Sequence, residues 1–289
     1  MELTARELPA DCEIYDTSCL HYGALNCYRE GIREIIDEVG AKRNRFLLNK
    51  GDSIDAVLPN DKRYASCAMD VKENLLTPAA QCDALVKDFL PIRKQILAWG
   101  HGNHEFKLIN TMDFGRYIAA QLQVPYGGVT YKFAGKDKTG ATRFKMLLTH
   151  GRGMIPQGAK DPIQREANQK AWVRRKLESM GFADCVYMSM AHIHRNIVVK
   201  PTTADQLYLT DDGENIHQHY QVLAPQDAMY IPPDSRFYAS TGSFLGLYSK
   251  PGSFAFGYGE LAQYGPTELG CCKVIIRNHQ VVDVEKRIV

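Results

Sequence analysis

Four short motifs follow one another along this chain: Gly51-Asp52-Ser53-Ile54-Asp55, Gly102-Asn103-His104-Glu105, Leu148-Thr149-His150-Gly151 and Ala191-His192-Ile193-His194. Each stands at or just beyond the end of a short apolar run that reads as a strand: Arg45 to Asn49, Gln95 to Trp99, Arg143 to Thr149, and Asp184 to Met188. A fold that accommodates this order must bring several strand ends to one place. The residue types are those that a pair of divalent cations needs. Carboxylate and amide oxygens suit Mg or Mn, imidazoles suit Zn, Fe or Mn, and a bridging carboxylate can join the two ions. One such motif alone says little, because context is what confirms it.

Between the strands lie helical segments. Asn26 to Val39 carries Ile32, Ile35, Ile36 and Val39 near helical spacing, with Gly40 as a stop. Pro78 to Leu90 and Phe114 to Leu122 also read as helices, and Lys160 to Met180 as a polar, basic one. Glu13 to Ser18 reads as a first strand and Thr130 to Phe133 as a later one. Further strand-like runs follow at Ile197 to Lys200, His217 to Leu223, Phe237 to Ser240 and Lys273 to Ile276. Strand and helix alternate first, and strands dominate afterwards, which predicts a layered α/β fold. The Gly/Tyr/Phe-rich segment from Gly242 to Gly265 reads as a packed loop because of its aromatics.

The 289 residues, 45% of them hydrophobic, suffice for one large core, and the spread of motifs from Cys19 to His194 favours a single domain over 1–289. Within it, 160–180 reads as a helical, polar insertion. No segment has the eighteen or so apolar residues of a membrane span, and the mixed-charge start Met1 to Glu7 does not read as a signal peptide. Eight scattered cysteines without a CxxC pair suggest reduced thiols and a cytoplasmic location. A net charge of +2 does not by itself imply nucleic acid.

With those motifs in hand, the chain resembles the calcineurin-like metallophosphoesterases, in stand-alone bacterial or phage form. Their pattern runs D-x-H, GD-x-x-D, GNH-D/E, a lone His, then G-H-x-H. The resemblance implies a layered fold of two mixed β-sheets flanked by helices. It also implies two divalent metal ions (Mn, Zn or Fe) held by Cys19, His21, Asp52, Asn103, His150, His192 and His194. His150 and His192 would serve one cation, and His194, His21 and residue 19 the other, with Asp52 bridging. His104 would protonate the leaving group, with Asp55 orienting or ionising its ring, a task that suits an imidazole. Two departures stand out. Ala191 replaces a usual Gly, and Cys19-Leu20-His21 fills the D-x-H slot.

Each assignment has an ordinary alternative. Asp52 could cap a helix, and Asn103 could be a turn residue beside Gly102. Cys19 shares parity with His21 along an extended backbone. It is either a soft thiolate ligand that draws the site toward Zn or Fe, or a small buried residue with the first cation site weakened. Asp16 is the nearby carboxylate in the first strand that could stand in for it, but it has the wrong parity and is too distant. His192 and His194, two apart, would face one cluster if extended. Arg152, after His150-Gly151, could meet a phosphate oxygen or be a solvated loop residue. His101 reads as a surface or core histidine, Glu105 as an outer supporting residue, and His217-Gln218-His219 as a solvated strand face. The basic helix could follow a polynucleotide backbone, but its Glu166 and Glu178 read as an ordinary exposed face.

The function expected is therefore a dinuclear, metal-dependent phosphoester hydrolase. The protein Ser/Thr phosphatase branch is disfavoured, since Ala56-Val57 follows Asp55 and His101 precedes Gly102. A phosphodiesterase acting on nucleotides or nucleic acid, a nuclease among them, is the leading expectation, by direct attack of a metal-bound hydroxide. A phosphomonoesterase, or a catalytically weakened binding or scaffold protein on the same fold, is the alternative.

Overall fold

The computed structural model describes residues 1–58, 61, 69–70, 73–156, 158–202, 207–220, 223–249, 256–261 and 263–289. The chain begins with strands β1 (Glu2–Glu7) and β2 (Cys12–Thr17), helix α1 (Arg29–Gly40) and strand β3 (Arg45–Asn49). Helix α2 (Pro78–Phe89) and a 3-10 turn (Leu90–Gln95) lead to β4 (Ile96–Gly100). Then come the short helix α3 (Asn103–Phe106), α4 (Phe114–Leu122), β5 (Tyr126–Gly128), β6 (Thr130–Lys136) and β7 (Thr142–Thr149). Helix α5 (Pro162–Glu178) precedes β8 (Tyr187–Met190), β9 (Ile197–Val199), β10 (Leu207–Asp211) and β11 (Ile216–Tyr220). The chain closes with β12 (Phe237–Ser240), the short α6 (Tyr258–Leu261), β13 (Gly270–Arg277) and β14 (Gln280–Ile288).

Two mixed six-stranded sheets form the centre, in the orders β1-β6-β7-β8-β12-β9 and β14-β13-β2-β3-β4-β5, as the layered reading expects. Alternating side chains decide the layering. Ile14, Phe46, Leu48 and Ala98 of one sheet meet Phe133, Met146, Leu148 and Ala239 of the other in a shared inner core. The other face, with Tyr15, Leu47, Ile96 and Trp99, lies outward under α1, α2 and α4, and an irregularity in the β3–β4 register puts Ile96 and Trp99 on that one face. On the other side Leu147, Met188, Met190 and Tyr238 receive Val173 and Leu177 of α5. Helix α5 is mostly polar, as its composition suggests, but this narrow apolar seam fixes it to the sheet.

Local signals set the helix ends. Thr77 accepts from the Ala80 amide and Pro78 starts α2, while Asp161 accepts from Ile163 and Gln164 and Pro162 starts α5. Ile32, Ile35, Ile36 and Val39 of α1 are all buried, and each contributes about 1.5–3 kcal/mol by leaving water. A charge at Ile35 would therefore detach α1 from its sheet. Strands β2, β3 and β4 run parallel in one sheet, and β7, β8 and β12 in the other. Their C-terminal ends carry the four motifs and the Cys19 segment, the position where open α/β sheets receive ligands. In the Gly/Tyr/Phe-rich segment, Phe244, Leu245 and Leu247 are buried, and 250–255 and 262 lie outside the described residues. The same holds for 221 and 222 of the run expected to end at Leu223.

Candidate metal centre

The loops leaving β2, β3, β4, β7 and β8 bring seven donor side chains together. His21 Nε2 lies 3.2 Å from His194 Nε2, and Cys19 joins them with all three donor atoms within 4.8 Å of one another. Cys19, Asp52 and His150 form a second group of the same span, and His21, Asp52 and His104 a third. Asp52 thus belongs to both sides of the cluster. On the other side His150 Nε2 is 3.1 Å from Asp52 Oδ2 and 2.9 Å from Asn103 Oδ1, and His192 Nδ1 is 2.7 Å from the same amide oxygen. The structure brings together all seven residues expected as ligands.

The route by which they converge differs from the extended parity expected for Cys19/His21 and His192/His194. Strand β2 ends at Thr17 and β8 at Met190, so neither pair lies in a strand. Cys19, His21, Asp52, His192 and His194 instead have φ of 51°, 53°, 50°, 72° and 51°. Left-handed backbone at non-glycine residues is uncommon and persists where the surroundings over-determine it, frequently at functional sites. Here backbone hydrogen bonds supply that constraint: Cys19 N to Gly51 O, His21 N to Asp52 O, and Ala191 N to His150 O. Ala191 is not among the positive-φ residues, which is why a side chain fits where Gly is usual.

Two glycines permit the loops to touch. A Cβ on Gly51, whose φ is 90°, would lie 2.0 Å from Gly102 N, and one on Gly102 would lie 2.2 Å from an Asp52 carboxylate oxygen. Between these loops sits Glu105, fully buried. Its carboxylate accepts from the amides of Asp52 (3.1 Å), Ser53 (2.5 Å), Ile54 (3.4 Å) and Gly102 (3.0 Å). Sequence reasoning gave Glu105 an outer supporting role, and its hydrogen bonds make it the latch between the Asp52 loop and the start of α3. Its place in the Gly-Asn-His-Glu motif was the available signal.

Outer partners orient the imidazoles. His21 Nδ1 donates to Asp55 Oδ1 (3.2 Å) and His150 Nδ1 to the Lys50 carbonyl (2.9 Å), which turns both Nε2 atoms inward. His104 Nδ1 donates to the Asp55 carbonyl at 2.5 Å, and the Asp55 carboxylate lies 3.5 Å from it. Asp55 therefore serves His21 with its carboxylate and His104 chiefly with its backbone, a division the sequence reading did not make. Asp16 is engaged elsewhere: Lys50 Nζ, Tyr187 Oη (2.7 Å) and Ser189 Oγ (2.6 Å) surround it between the sheets. It is not placed as an alternative donor. Arg152 is exposed in the loop after β7, and among the described residues it takes no part in the contacts that assemble the cluster. His101 is buried, with Nδ1 3.2 Å from the Tyr126 hydroxyl and 3.2 Å from Asp113.

Charge balance inside the cluster is strong. Burial alone would push the Cys19 thiol up, but the charge and hydrogen bond of His194 and the hydrogen bond of His21 hold it well below its ordinary range. Burial would likewise raise Asp52, yet His150 and His104 hold it well below the carboxylate range. Burial would lower His21, but Asp55, Cys19 and Asp52 push it up to about 10, and Asp52 pushes His150 up to about 9 against the same opposition. His192 is lowered by burial and by the charge of His150. Burial and Asp52 raise Glu105, opposed by His101 and by backbone N–H groups. His21 and His150, pushed up beside Cys19 and Asp52, are groups from which a bound cation would displace protons. The donor set of one thiol, four imidazoles, one carboxylate and one amide oxygen fits divalent metal.

No protein-family model and no curated protein matches this chain. Among solved structures, the NAD nucleotidase (NadN) of Haemophilus influenzae is similar over 96% of this chain and 50% of its own, at 10% identity and a TM-score of 0.40. The chain thus spans about half the length of that protein.

Proposed function

We propose that the chain is a metal-dependent phosphoester hydrolase of the calcineurin-like type, acting as a phosphodiesterase on nucleotide or nucleic-acid phosphodiesters. The observation that carries this reading is the pair of donor groups sharing Asp52: Cys19, His21 and His194 on one side, Asn103, His150 and His192 on the other. When bound, divalent cations held by these residues would lower the pKa of a water and neutralise charge developing at phosphorus. The chain's own residues do the rest. Asp55 and the Lys50 carbonyl hold the His21 and His150 rings. His104, fixed through Nδ1, offers Nε2 to protonate the departing oxygen. Arg152 would meet a substrate phosphate oxygen.

The 1–289 stretch serves as one catalytic domain in this reading. Seven described cysteines are free, which supports a reducing, cytoplasmic setting, and no helix of the described residues is long and apolar enough to cross a membrane. Metal content of the purified protein, measured beside hydrolysis of bis-p-nitrophenyl phosphate, p-nitrophenyl phosphate, cyclic nucleotides and single-stranded DNA, tests the proposal. Two metal equivalents with diester turnover are expected. Turnover confined to the monoester would make the enzyme a phosphomonoesterase. Absence of bound metal and of turnover would leave a binding protein on this fold.

A further inference from the structure

We propose that the two cation sites differ in kind: Cys19, His21 and His194 form a thiophilic site that selects Zn(II) or Fe(II), and Asn103, His150 and His192 form a harder one that accepts Mn(II). This rests on the two-cation reading above and assigns the chemistry of each half.

The setting of Cys19 separates it from every other described cysteine. Cys82 and Cys271 pack in the apolar cluster under the helices, with Cys27 against it. Cys12 and Cys272 lie in the inner core, and Cys185 in the cluster under α5. Cys19 is fully buried yet belongs to none of these clusters among the described residues. Its sulfur lies instead within 4.8 Å of ligating atoms on His21 and His194, and in a second group of Asp52 and His150. A buried thiol acting as a small apolar filler would sit among apolar neighbours.

Backbone geometry points the same way. Cys19 has a φ of 51°, a conformation that glycine, asparagine and aspartate tolerate better. Its amide donates to Gly51 O at 2.9 Å, and its carbonyl accepts from Phe244 N at 3.0 Å and Ser243 Oγ at 3.1 Å. Both peptide groups are therefore pinned, and the sulfur is held toward the imidazoles. One thiolate with two imidazoles is a soft to borderline donor set, whereas an amide oxygen with two imidazoles lacks the soft donor. The Asp52 carboxylate lies among donors of both halves. Asn103 and His192 are half-buried in the second half, as His194 is in the first, while Cys19, His21 and His150 are buried.

Cobalt(II) titration of the metal-stripped protein under anaerobic, reducing conditions tests the assignment, because a thiolate on Co(II) gives a charge-transfer absorption in the near ultraviolet. The wild type should bind two equivalents, with the charge-transfer band saturating after one. Cys19→Asp suits the left-handed backbone, so it should stay folded by circular dichroism and bind two equivalents without the band. Its preference for Zn(II) over Mn(II) should fall by more than the roughly 10–100-fold that outer-shell changes cause. Cys19→Ser should lose the band and one equivalent. Two equivalents bound by the wild type with no charge-transfer band would overturn the thiophilic site and leave the hydrolase reading intact. Failure to bind any metal would overturn both.

Discussion

His192-Ile193-His194 and His217-Gln218-His219 have the same spacing and opposite fates. The second pair lies inside a true strand, β11, and the register sets His217 opposite Thr210 and His219 opposite Tyr208. Period-two logic applies there, and both imidazoles share a face. That face is solvated: His217 is bonded to Asp212 Oδ2 at 2.8 Å, and His219 bonds Thr210 at 2.9 Å and stacks on Tyr208 with ring centroids 5.1 Å apart. The first pair lies outside any strand, in left-handed turns, and yet each ring reaches a donor cluster through a different ring nitrogen, Nδ1 of His192 and Nε2 of His194. Spacing alone does not distinguish the two. Position does, because 192–194 leaves the C-terminal end of a central parallel strand, where four other loops converge, and β10–β11 is a separate two-stranded ribbon.

The largest expected effect breaks the comparison at the first pair. His192→Ala and Asp52→Asn should each abolish hydrolysis and remove at least one metal equivalent, and His217→Ala with His219→Ala should change neither. Steady-state turnover at saturating metal, beside metal analysis, reads all four variants. Near-normal turnover in His192→Ala would remove that residue from the mechanism and erase the distinction between the pairs.

Next in size is His104, which touches His21 with ring centroids 4.7 Å apart and belongs to the same cluster. Loss of a general acid should slow esters with poor leaving groups by about 10²–10⁴-fold and an activated p-nitrophenyl ester less. Equal losses on both substrates would assign His104 to phosphate positioning instead.

A smaller effect is expected at Glu105, which supports the Asp52 loop without being a ligand. Glu105→Gln keeps the shape but replaces one acceptor oxygen with an amide NH₂, which cannot accept from the backbone amides now bonded there. The metal affinity should fall roughly 10–100-fold, the size typical of outer-shell partners, with turnover recovered at high metal. Unchanged affinity by calorimetric titration would show that Gly51 and Gly102 hold the loops without the latch.

How much of this was legible in the sequence follows from the same contrast. The layered sheets, α4 (Phe114–Leu122) and β3 (Arg45–Asn49) were legible because burial on one or both faces leaves periodic apolar residues. The cluster's members were legible as motifs. Strand β1 was not, because Glu2–Glu7 is an edge strand paired, among the described residues, with β6 alone and is almost wholly exposed, so nothing in burial imposes a pattern on it. The ribbon strand β10, exposed at every residue, was hidden for the same reason. Strand β8 begins at Tyr187, whereas Asp184 was read as its start. The Asp184 carboxylate is instead held by Lys132 (2.6 Å) and Lys145 (2.8 Å), a tertiary contact that no local pattern announces. The left-handed turns at Cys19 and His192 were equally hidden, because φ above zero at non-glycine residues is imposed by partners distant in sequence.

The smallest expected effect sharpens the comparison from the solvated side. Asp212 is held down to about 2 by the hydrogen bond from His217, then by the amides of Asn215 and Glu214. Its folded pKa lies below the unfolded value of about 3.9. Any stability it contributes is therefore present above that value and lost as pH falls through about 2. The carboxylate is fully exposed, so solvent screens the effect and the melting temperature should not change measurably on His217→Ala. The carboxyl pKa of Asp212 itself should rise, because one of its donors is gone, and a carbon-detected NMR titration of the side chain reads this directly. Metal content should stay at the wild-type value throughout. If His217→Ala instead lowered the metal content, the ribbon would reach the cluster, and the two His-x-His pairs would belong to one site.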